Sequence, residues 1–353
     1  MISYLKALLK YTSQETRVRI SNSLLFRIHE RINLPSAPIA FRCELTTHCN
    51  NRCEMCTRTH LDAHLINAHS MDEKIVGRII EEMKKFKDSG RKVTFSVMGL
   101  GEPLLFKNIF DVFARIKDIS RDIPITVVTN GILLNDATAQ QLIAGEIDNV
   151  TISLNTNNAL EYKQQMGTDN YNLVCANITS LLEKRNNLRK TRPSVIIQYL
   201  AYDGNMHRFD HDIKTWRTLM RGEDKCYIHP IVNGGGNFID GNAFGKEKGS
   251  YPCPLPLQYV AVNVNGDIHP CDACYYAGGK RMGRLFLGNI LECSPFDMMA
   301  SKPNPRTEIV DLMRRNDYRD LPACKVCNSY KLASNIFFKI PKPMRARLGY
   351  FWL

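Results

Sequence analysis

The chain lacks three features that mark large classes of protein: long apolar runs, a signal segment and internal repeats. No apolar run approaches the roughly 18 residues of a membrane-spanning helix, and charged residues interrupt the N-terminal segment too often for a secretory signal. No low-complexity tract is present either. With 353 residues, of which 44% are hydrophobic, the composition predicts a globular cytoplasmic protein with one large domain and one smaller domain.

A basic surface through the middle of the chain is also lacking. The net charge is +12, but residues 39–330 carry only +3 of it. The excess belongs to the ends, because residues 331–353 hold five basic residues and no acidic one, and residues 1–38 hold six basic and two acidic residues. This distribution argues against a nucleic-acid groove in the main domain, so no nucleic-acid partner is expected.

Short apolar runs alternate with longer amphipathic segments from residue 39 onward, which is typical of βα units around a parallel sheet. Strands are predicted over 39–45, 93–97, 125–128, 150–154, 195–200 and 227–231. Helices are predicted over 109–119, 136–144 and 171–184, and a capping box at Ser70-x-x-Glu73 indicates the start of another. Six βα units are fewer than the eight of a closed TIM barrel, so the predicted fold is a partial (β/α)6 TIM-like barrel.

Five regions follow from this pattern. We predict a basic helical extension over 1–38, the barrel over 39–232, a linker over 233–252, a Cys-rich extension over 253–330 and a basic aromatic tail over 331–353. Within the Cys-rich extension, residues 262–269 are predicted to form a hairpin that turns at Asn265-Gly266.

The chain contains twelve cysteines, several of them in tight clusters. In a cytoplasmic protein, tight cysteine clusters are more typical of metal sites than of disulfides. The first cluster is Cys49-x-x-x-Cys53-x-x-Cys56, directly after the first strand. Three thiolates on one loop can hold three irons of a [4Fe–4S] cluster and leave the fourth iron open. A structural zinc loop completed by His48 or His60 is the alternative.

The segment CNNRCEMC resembles the signature loop of radical S-adenosylmethionine (SAM) enzymes, and the resemblance extends over about residues 39–330. It implies a catalytic [4Fe–4S] cluster on Cys49, Cys53 and Cys56 that binds SAM. It also implies SAM contacts after the second strand, at the ends of the third and fourth strands and before the third cysteine: Gly101, Glu102, Pro103, Thr129, Asn130, Ser153, Asn155 and Met55. A carboxylate and carbonyls near Glu102 would suit the SAM ammonium group.

This sequence departs from the family pattern at two of those positions. The family often has Asp where Asn155 stands, and an aromatic residue is usual where Met55 stands. Methionine can still pack on an adenine ring.

A second group of cysteines resembles the SPASM/Twitch extension of the same family. It consists of Cys253, then Gly266-x4-Cys271, and then Cys324-x-x-Cys327. The resemblance implies an auxiliary [4Fe–4S] cluster, in the shorter single-cluster Twitch form because no cysteine follows Cys327. A zinc site on the same four thiolates is the alternative.

The remaining cysteines are assigned less directly. Cys274 or Cys293 could replace one of the four auxiliary ligands, since Cys271-x-x-Cys274 is itself a ligand spacing. Cys43, Cys175 and Cys226 lie in apolar segments and are predicted to be core residues.

The resemblance implies reductive cleavage of SAM, hydrogen abstraction by a 5′-deoxyadenosyl radical, and an electron donor of the flavodoxin or ferredoxin kind. An auxiliary cluster implies a net oxidation, and we expect a small polar substrate such as a sugar or aminocyclitol. Peptide maturation is the alternative, disfavoured because only 38 residues precede the barrel, and a non-catalytic metal-stabilised binding protein is a remote one. No catalytic side chain is assigned, although Arg58, His60, Gln198 and His229 are candidates for the substrate cavity.

Both ends of the chain combine basic and apolar residues. Besides its five basic residues, the segment 331–353 contains five aromatic residues: Phe337, Phe338, Tyr350, Phe351 and Trp352. Such segments pack on the domain in most proteins, and that is the favoured interpretation. Peripheral contact with an anionic membrane surface is the alternative.

Overall fold

The computed structural model describes residues 38–60, 68–201, 206–230, 253, 255–275 and 283–327. The predicted linker and basic tail lie outside these ranges, as does the N-terminal extension apart from residue 38. Among the described residues, no helix combines the length and apolar character needed to cross a bilayer.

The described strands form one sheet. They are β1 (Ile39–Cys43), β2 (Val93–Val97), β3 (Ile125–Thr129), β4 (Asn149–Asn155), β5 (Ser194–Ala201), β6 (Lys225–Pro230), β7 (Tyr259–Val262) and β8 (Ile268–His269). Their order across the sheet is β6-β5-β4-β3-β2-β1-β7-β8. Strands β1 to β6 are parallel and each lies beside its neighbour in sequence, as a partial barrel requires.

Helices follow the strands along the chain. They are α1 (Thr57–His60), α2 (Glu73–Asp88), α3 (Ile109–Ile119), α4 (Asp136–Ala144), α5 (Ala159–Met166), α6 (Tyr171–Asn187), α7 (Asp210–Arg217), α8 (Leu255–Gln258), α9 (Pro295–Ala300), α10 (Pro305–Arg314) and α11 (Pro322–Val326).

The two faces of the sheet differ in burial. In β1, Ile39, Phe41 and Cys43 are fully buried, and the ring of Phe41 packs edge-on against Phe86 of α2 at 5.8 Å. The alternate residues point to the opposite side and are only half-buried, including Arg42. We call this opposite side the lumen face; it carries Arg42, Ser96, Thr126, Ser153 and Gln198.

Most predicted element boundaries agree with the structure, and the bounds of α3 and α4 agree to the residue. The predicted capping box is wrong, because Asp72 caps α2 by accepting from the backbone N–H of Lys74. Ser70 instead donates to the hydroxyl of Thr46, beside the cysteine loop. Helix α5 was not predicted.

The predicted hairpin is confirmed, with β7 and β8 antiparallel and Gly266 at φ +85° in the turn. Its attachment was not predicted. Strand β7 pairs in parallel with the outer edge of β1, which places Arg42 beside Ala261. The Cys-rich extension therefore continues the barrel sheet.

Candidate functional site

The loop between β1 and α1 carries Cys49, Cys53 and Cys56. The backbone N–H of Cys56 donates to the carbonyl of Cys53 at 3.1 Å, so the last two cysteines lie on one tight turn. Burial raises the pKa of Cys53 to about 12, and the neighbouring thiols of Cys56 and Cys49 add to this effect. Burial likewise raises the pKa of Cys49 and Cys56. Without a cation, three crowded thiols keep their protons at neutral pH, so the site suits a metal group that replaces them.

The C-terminal end of helix α5 packs against this loop and holds it by backbone hydrogen bonds. The backbone N–H of Arg52 donates to the carbonyl of Met166 at 3.1 Å, and that of Glu54 donates to Gln165 at 2.8 Å. Gly167 ends α5 at φ +69°, and a Cβ there would lie 2.7 Å from the carbonyl oxygen of Arg52. Only glycine allows this close approach between the helix end and the cysteine loop.

The turn after β2 closes over the same loop. The backbone N–H of Glu102 donates to the carbonyl of His48 at 2.8 Å. A Cβ on Gly101 would lie 2.0 Å from the carbonyl oxygen of Thr46, so this position also requires glycine. Pro103 is buried and begins a short 3₁₀ turn.

The Glu102 carboxylate is engaged within the protein. It accepts from the hydroxyl of Thr129 at 2.6 Å, from the backbone N–H of Asn130 at 2.8 Å and from that of Leu104 at 3.1 Å. Burial raises the pKa of Glu102, while these hydrogen bonds act in the opposite direction. These three hydrogen bonds brace the ends of β2 and β3, and the contact between this carboxylate and the SAM ammonium stays a prediction.

Asn130 continues the bracing. Its side-chain amide donates to the side chain of Asn50, next to Cys49, at 2.6 Å. Its side-chain oxygen accepts from the backbone N–H of Ile132 at 3.0 Å. One hydrogen-bond network thus connects Glu102, Thr129 and Asn130 and fixes the cysteine loop relative to the ends of β2 and β3.

Asn155 has the polar atom best placed for a ligand. It ends β4 at φ +66°, is 5% exposed, and donates only to the sulfur of Met166 at 3.4 Å. Within the described structure, its buried side-chain oxygen has no hydrogen-bond partner. An unsatisfied buried acceptor is costly unless a donor is supplied, and SAM offers ammonium and ribose hydroxyl donors. The residues at this strand end therefore fit SAM.

The other sequence candidates lie nearby or elsewhere. Ser153 is half-buried on the lumen face beside Gln198, and Met55 packs half-buried against the barrel core. Arg58 donates to the carbonyl of Thr47 at 2.7 Å, and His60 contacts the carbonyl of Glu54, so both contact the cysteine loop itself.

His229 lies on β6, but its side chain is outside the described part of the molecule. Cys43 is a core residue as predicted, whereas Cys175 and Cys226 are only half-buried against the core.

The second cysteine group converges in space, as the family resemblance implied. Cys253 is half-buried, and desolvation together with the thiols of Cys271, Cys324 and Cys327 raises its pKa. Cys274 belongs to the same group, because its sulfur lies 3.5 Å from that of Cys271 and its thiol also contacts Cys324.

Cys293 does not belong to this group: its sulfur contacts the carbonyl of Asn289 at 3.2 Å. Five thiols therefore share the auxiliary site. As they stand, no three His, Cys, Asp or Glu side chains among the described residues are placed to hold one metal ion. A cubane spreads its cysteine ligands over separate irons, so the donor set fits a cluster.

Arg42 and Asp272 join β1, the strand that precedes the catalytic cysteine loop, to the auxiliary cysteine group, and sequence reasoning missed both. Arg42 lies on the lumen face of β1, and its Nε is 3.1 Å from Oδ1 of Asp272, between Cys271 and Cys274. The two residues are 230 positions apart in sequence. The only sequence signal was a charged residue in the middle of an otherwise buried strand.

Comparison with known proteins agrees with this arrangement. Two family models match the chain: the radical SAM superfamily over residues 43–215 and the SPASM iron–sulfur cluster-binding domain over residues 253–328.

The chain is 25% identical over 162 residues to the tungsten-containing aldehyde ferredoxin oxidoreductase cofactor-modifying protein of Pyrococcus furiosus, covering 46% of this chain and 43% of that protein. It is 33% identical over 145 residues to a probable GTP 3′,8-cyclase of Methanococcus maripaludis, covering 41% of this chain and 45% of that protein. The chain matches less than half the length of each of these relatives.

Solved structures share the fold. BtrN in complex with AdoMet and 2-DOIA has a TM-score of 0.53 at 16% identity, with 82% of this chain and 93% of that chain covered. Native anSMEcpe with bound AdoMet has a TM-score of 0.58 at 14% identity, with 88% of this chain and 99% of that chain covered. SuiB of Streptococcus suis bound to its precursor peptide SuiA has a TM-score of 0.56 at 16% identity, with 90% and 77% covered.

These likenesses confirm the predicted partial barrel with its C-terminal iron–sulfur extension. The chain therefore belongs to the radical SAM superfamily: it is a radical SAM enzyme with a C-terminal SPASM domain, and its cofactors are SAM, a [4Fe–4S] cluster that binds SAM, and an auxiliary iron–sulfur cluster.

Proposed function

We propose that this enzyme oxidises a small polar molecule at a carbon that bears a hydroxyl group. When bound, the cluster and SAM would supply a 5′-deoxyadenosyl radical that abstracts hydrogen from that carbon. An auxiliary cluster would take one electron from the resulting substrate radical, and the loss of the hydroxyl proton would complete the carbonyl product. Cys49, Cys53 and Cys56 hold the catalytic cluster, and the barrel wall holds the substrate. A flavodoxin- or ferredoxin-like protein supplies the electron.

The chain's own residues position SAM at the strand ends. Asn155 accepts a hydrogen bond from a SAM donor, and Ser153 contributes a hydroxyl on the lumen face. Met55 offers an apolar surface beside the loop. Around the cysteine loop, the further SAM contacts are the predicted ones: Gly101, Glu102, Pro103, Thr129 and Asn130. The Glu102 carboxylate and carbonyls of its turn suit the SAM ammonium group.

The observation that carries the oxidative assignment is the contact between Arg42 and Asp272. It places the loop of Cys271 and Cys274 against the lumen face of β1. The segment from Cys271 to Cys274 therefore lies beside the barrel wall that we propose holds the substrate, where an electron acceptor is useful. Cys253, Cys271, Cys324 and Cys327 hold a single auxiliary cluster, with Cys274 as a fifth thiol in the same site.

The polar lumen supports a hydroxylated substrate. Ser153, Gln198 and Tyr227 lie side by side on β4, β5 and β6, so hydroxyl and amide groups line one wall. Such groups recognise substrate hydroxyls by exchanging hydrogen bonds with them. A peptide side chain is the competing substrate class.

For residues 331–353, peripheral contact with an anionic membrane surface stays the alternative to packing on the domain, and it would favour a lipid-linked or phosphorylated substrate. Co-sedimentation with anionic and neutral liposomes tests this contact, and equal binding to both kinds of vesicle excludes it.

Replacement of Cys324 and Cys327 by Ala tests the oxidative assignment. Anaerobically reconstituted protein should fall from about eight to about four irons per chain and still form 5′-deoxyadenosine from SAM. It should lose the two-electron oxidised product when assayed with deuterated sugars or aminocyclitols. Unchanged iron content, or loss of zinc instead of iron, would rule out the auxiliary cluster. Deuterium transfer from a peptide and not from a polyol would assign the competing substrate class.

A further inference from the structure

Arg42 occupies an unusual place on the wall of the barrel. It is a cation on the lumen face of a central strand, flanked by Ser96 on β2 and Ala261 on β7. Charged side chains rarely occupy such positions unless they are paired. Its partners all come from elements that are distant in sequence.

Those partners tie Arg42 to the auxiliary extension. Its Nε lies 3.1 Å from Oδ1 of Asp272, and its NH2 group lies 3.5 Å from Oδ2. Its NH1 group donates to the hydroxyl of Tyr259 at 3.2 Å, and the guanidinium lies 4.8 Å from the centre of that ring. The hydroxyl of Tyr275 donates to the Arg42 carbonyl. Nearby Asp272 and Tyr259 keep the pKa of Arg42 raised despite its burial.

The auxiliary side of this contact is equally specific. Asp272 begins the 3₁₀ turn that links Cys271 to Cys274, and the N–H of Tyr275 donates to the Asp272 carbonyl at 3.2 Å. One ion pair thus holds the peptide segment that presents two of the auxiliary thiols. The same pair lies on the lumen face, which the substrate shares.

We propose that Arg42 is a positioning residue that fixes the Cys271–Cys274 segment and sets, with Asp272, the reduction potential of the auxiliary cluster. This inference rests on the proposed function, because it assigns the auxiliary cluster to these cysteines. The physical reason is that a fixed cation near a cluster favours its reduced, more negative state, whereas a fixed anion opposes it.

The two charges therefore have opposite expected effects. Arg42→Met should lower the midpoint potential of the auxiliary cluster, and Asp272→Asn should raise it. At a fixed solution potential, each variant should change the ratio of reduced to oxidised auxiliary cluster on the order of tenfold. That change corresponds to a shift of about 59 mV in the midpoint potential of a one-electron couple. Arg42→Met combined with Asp272→Asn should return close to the wild-type potential. Arg42→Lys should keep the potential closer to wild type than Arg42→Met does.

The measurement is an anaerobic redox titration of the full reconstituted chain, followed by electron paramagnetic resonance. Lys117→Met is the matched control, because Lys117 pairs with Asp148 at 2.7 Å in a similarly half-buried ion pair at the start of β4, on a different element. It should leave the auxiliary potential unchanged. Iron content of each variant shows whether the cluster is present.

The outcomes separate this inference from the proposed function. Two cluster signals with opposite shifts in Arg42→Met and Asp272→Asn support it. Two cluster signals with unmoved potentials, or with both variants shifted in one direction, overturn it while leaving the proposed function intact. A wild-type chain that holds one cluster only overturns both.

Discussion

The guanidinium of Arg306, in the first turn of α10, is 2% exposed, and none of its three nitrogens has a hydrogen-bond partner in the described structure. Burial, together with the nearby charge of Arg91, lowers the pKa of Arg306 to about 9. A buried charge without a partner destabilises the fold, because the energy of its lost hydration is not recovered.

We therefore expect Arg306→Met to stabilise the protein on the order of 1 kcal/mol or more, since methionine fills a similar volume without a charge. Arg306→Lys, the matched control, retains the charge and should give no gain. Thermal melts of the anaerobic holoprotein at neutral pH measure the difference. A melting temperature of Arg306→Met below that of the wild type would show that the guanidinium has a stabilising partner.

At this scale, the short spacing of Cys49, Cys53 and Cys56 was enough to place three thiols on one loop, because ligand geometry constrains such spacings. The auxiliary group was implied by the family resemblance, which left Cys274 only as a possible replacement ligand. Spacing could not predict that the hydroxyl of Thr129 donates a hydrogen bond to the carboxylate of Glu102. A motif indicates where a residue lies in the fold, but it does not indicate which side chain the residue contacts. Spacing also could not predict Arg42 and Asp272, whose contact exists only after β7 pairs with β1.

Among the elements, the turn between β2 and its 3₁₀ helix has the smallest tolerance for change. A Cβ on Gly101 would lie 2.0 Å from the carbonyl oxygen of Thr46 and 2.8 Å from that of His48. Both obstacles are backbone atoms of the cysteine loop, so they cannot rotate away.

Gly101→Ala should therefore displace the cysteine loop and reduce SAM cleavage about 100-fold, because a shift near 1 Å misplaces reacting groups. Gly77→Ala, within α2, is the control, since a Cβ there would meet only the end of the Arg115 side chain, at 3.8 Å. That control should retain full cleavage and gain slightly in helix stability. Chromatographic assay of 5′-deoxyadenosine compares the two, and equal rates would refute the tight packing.

Elements with strong amphipathic spacing were predictable, and α3 and α4 are examples. Helix α5 was missed because only Tyr162 and Met166 of its eight residues are buried, which leaves little periodic signal. The start of α2 was misplaced because two capping residues, Ser70 and Asp72, stand close together and tertiary contacts decide between them.

The whole molecule joins its two cysteine groups through a single sheet. Strand β7 extends the barrel at β1, and the buried carboxylate of Glu44 accepts from the backbone N–H of Leu100 at 2.7 Å and lies near that of Val264. The catalytic loop and the extension are thus held by shared elements. Sequence patterns predicted both units, but the parallel pairing of β7 with β1 depends on contacts more than 200 residues apart, which local patterns do not encode.

The most direct test of the account is the reductive cleavage of SAM by the reconstituted chain under anaerobic conditions. The wild type should form 5′-deoxyadenosine with dithionite as reductant, and Cys49→Ala, Cys53→Ala or Cys56→Ala should each abolish it, because each thiolate holds one iron of the SAM-binding cluster. Cys293→Ala, whose sulfur contacts the carbonyls of Leu287 and Asn289 away from both cysteine groups, should cleave SAM at the wild-type rate. No cleavage by the wild type, or undiminished cleavage by a variant lacking one of the three cysteines, would contradict it.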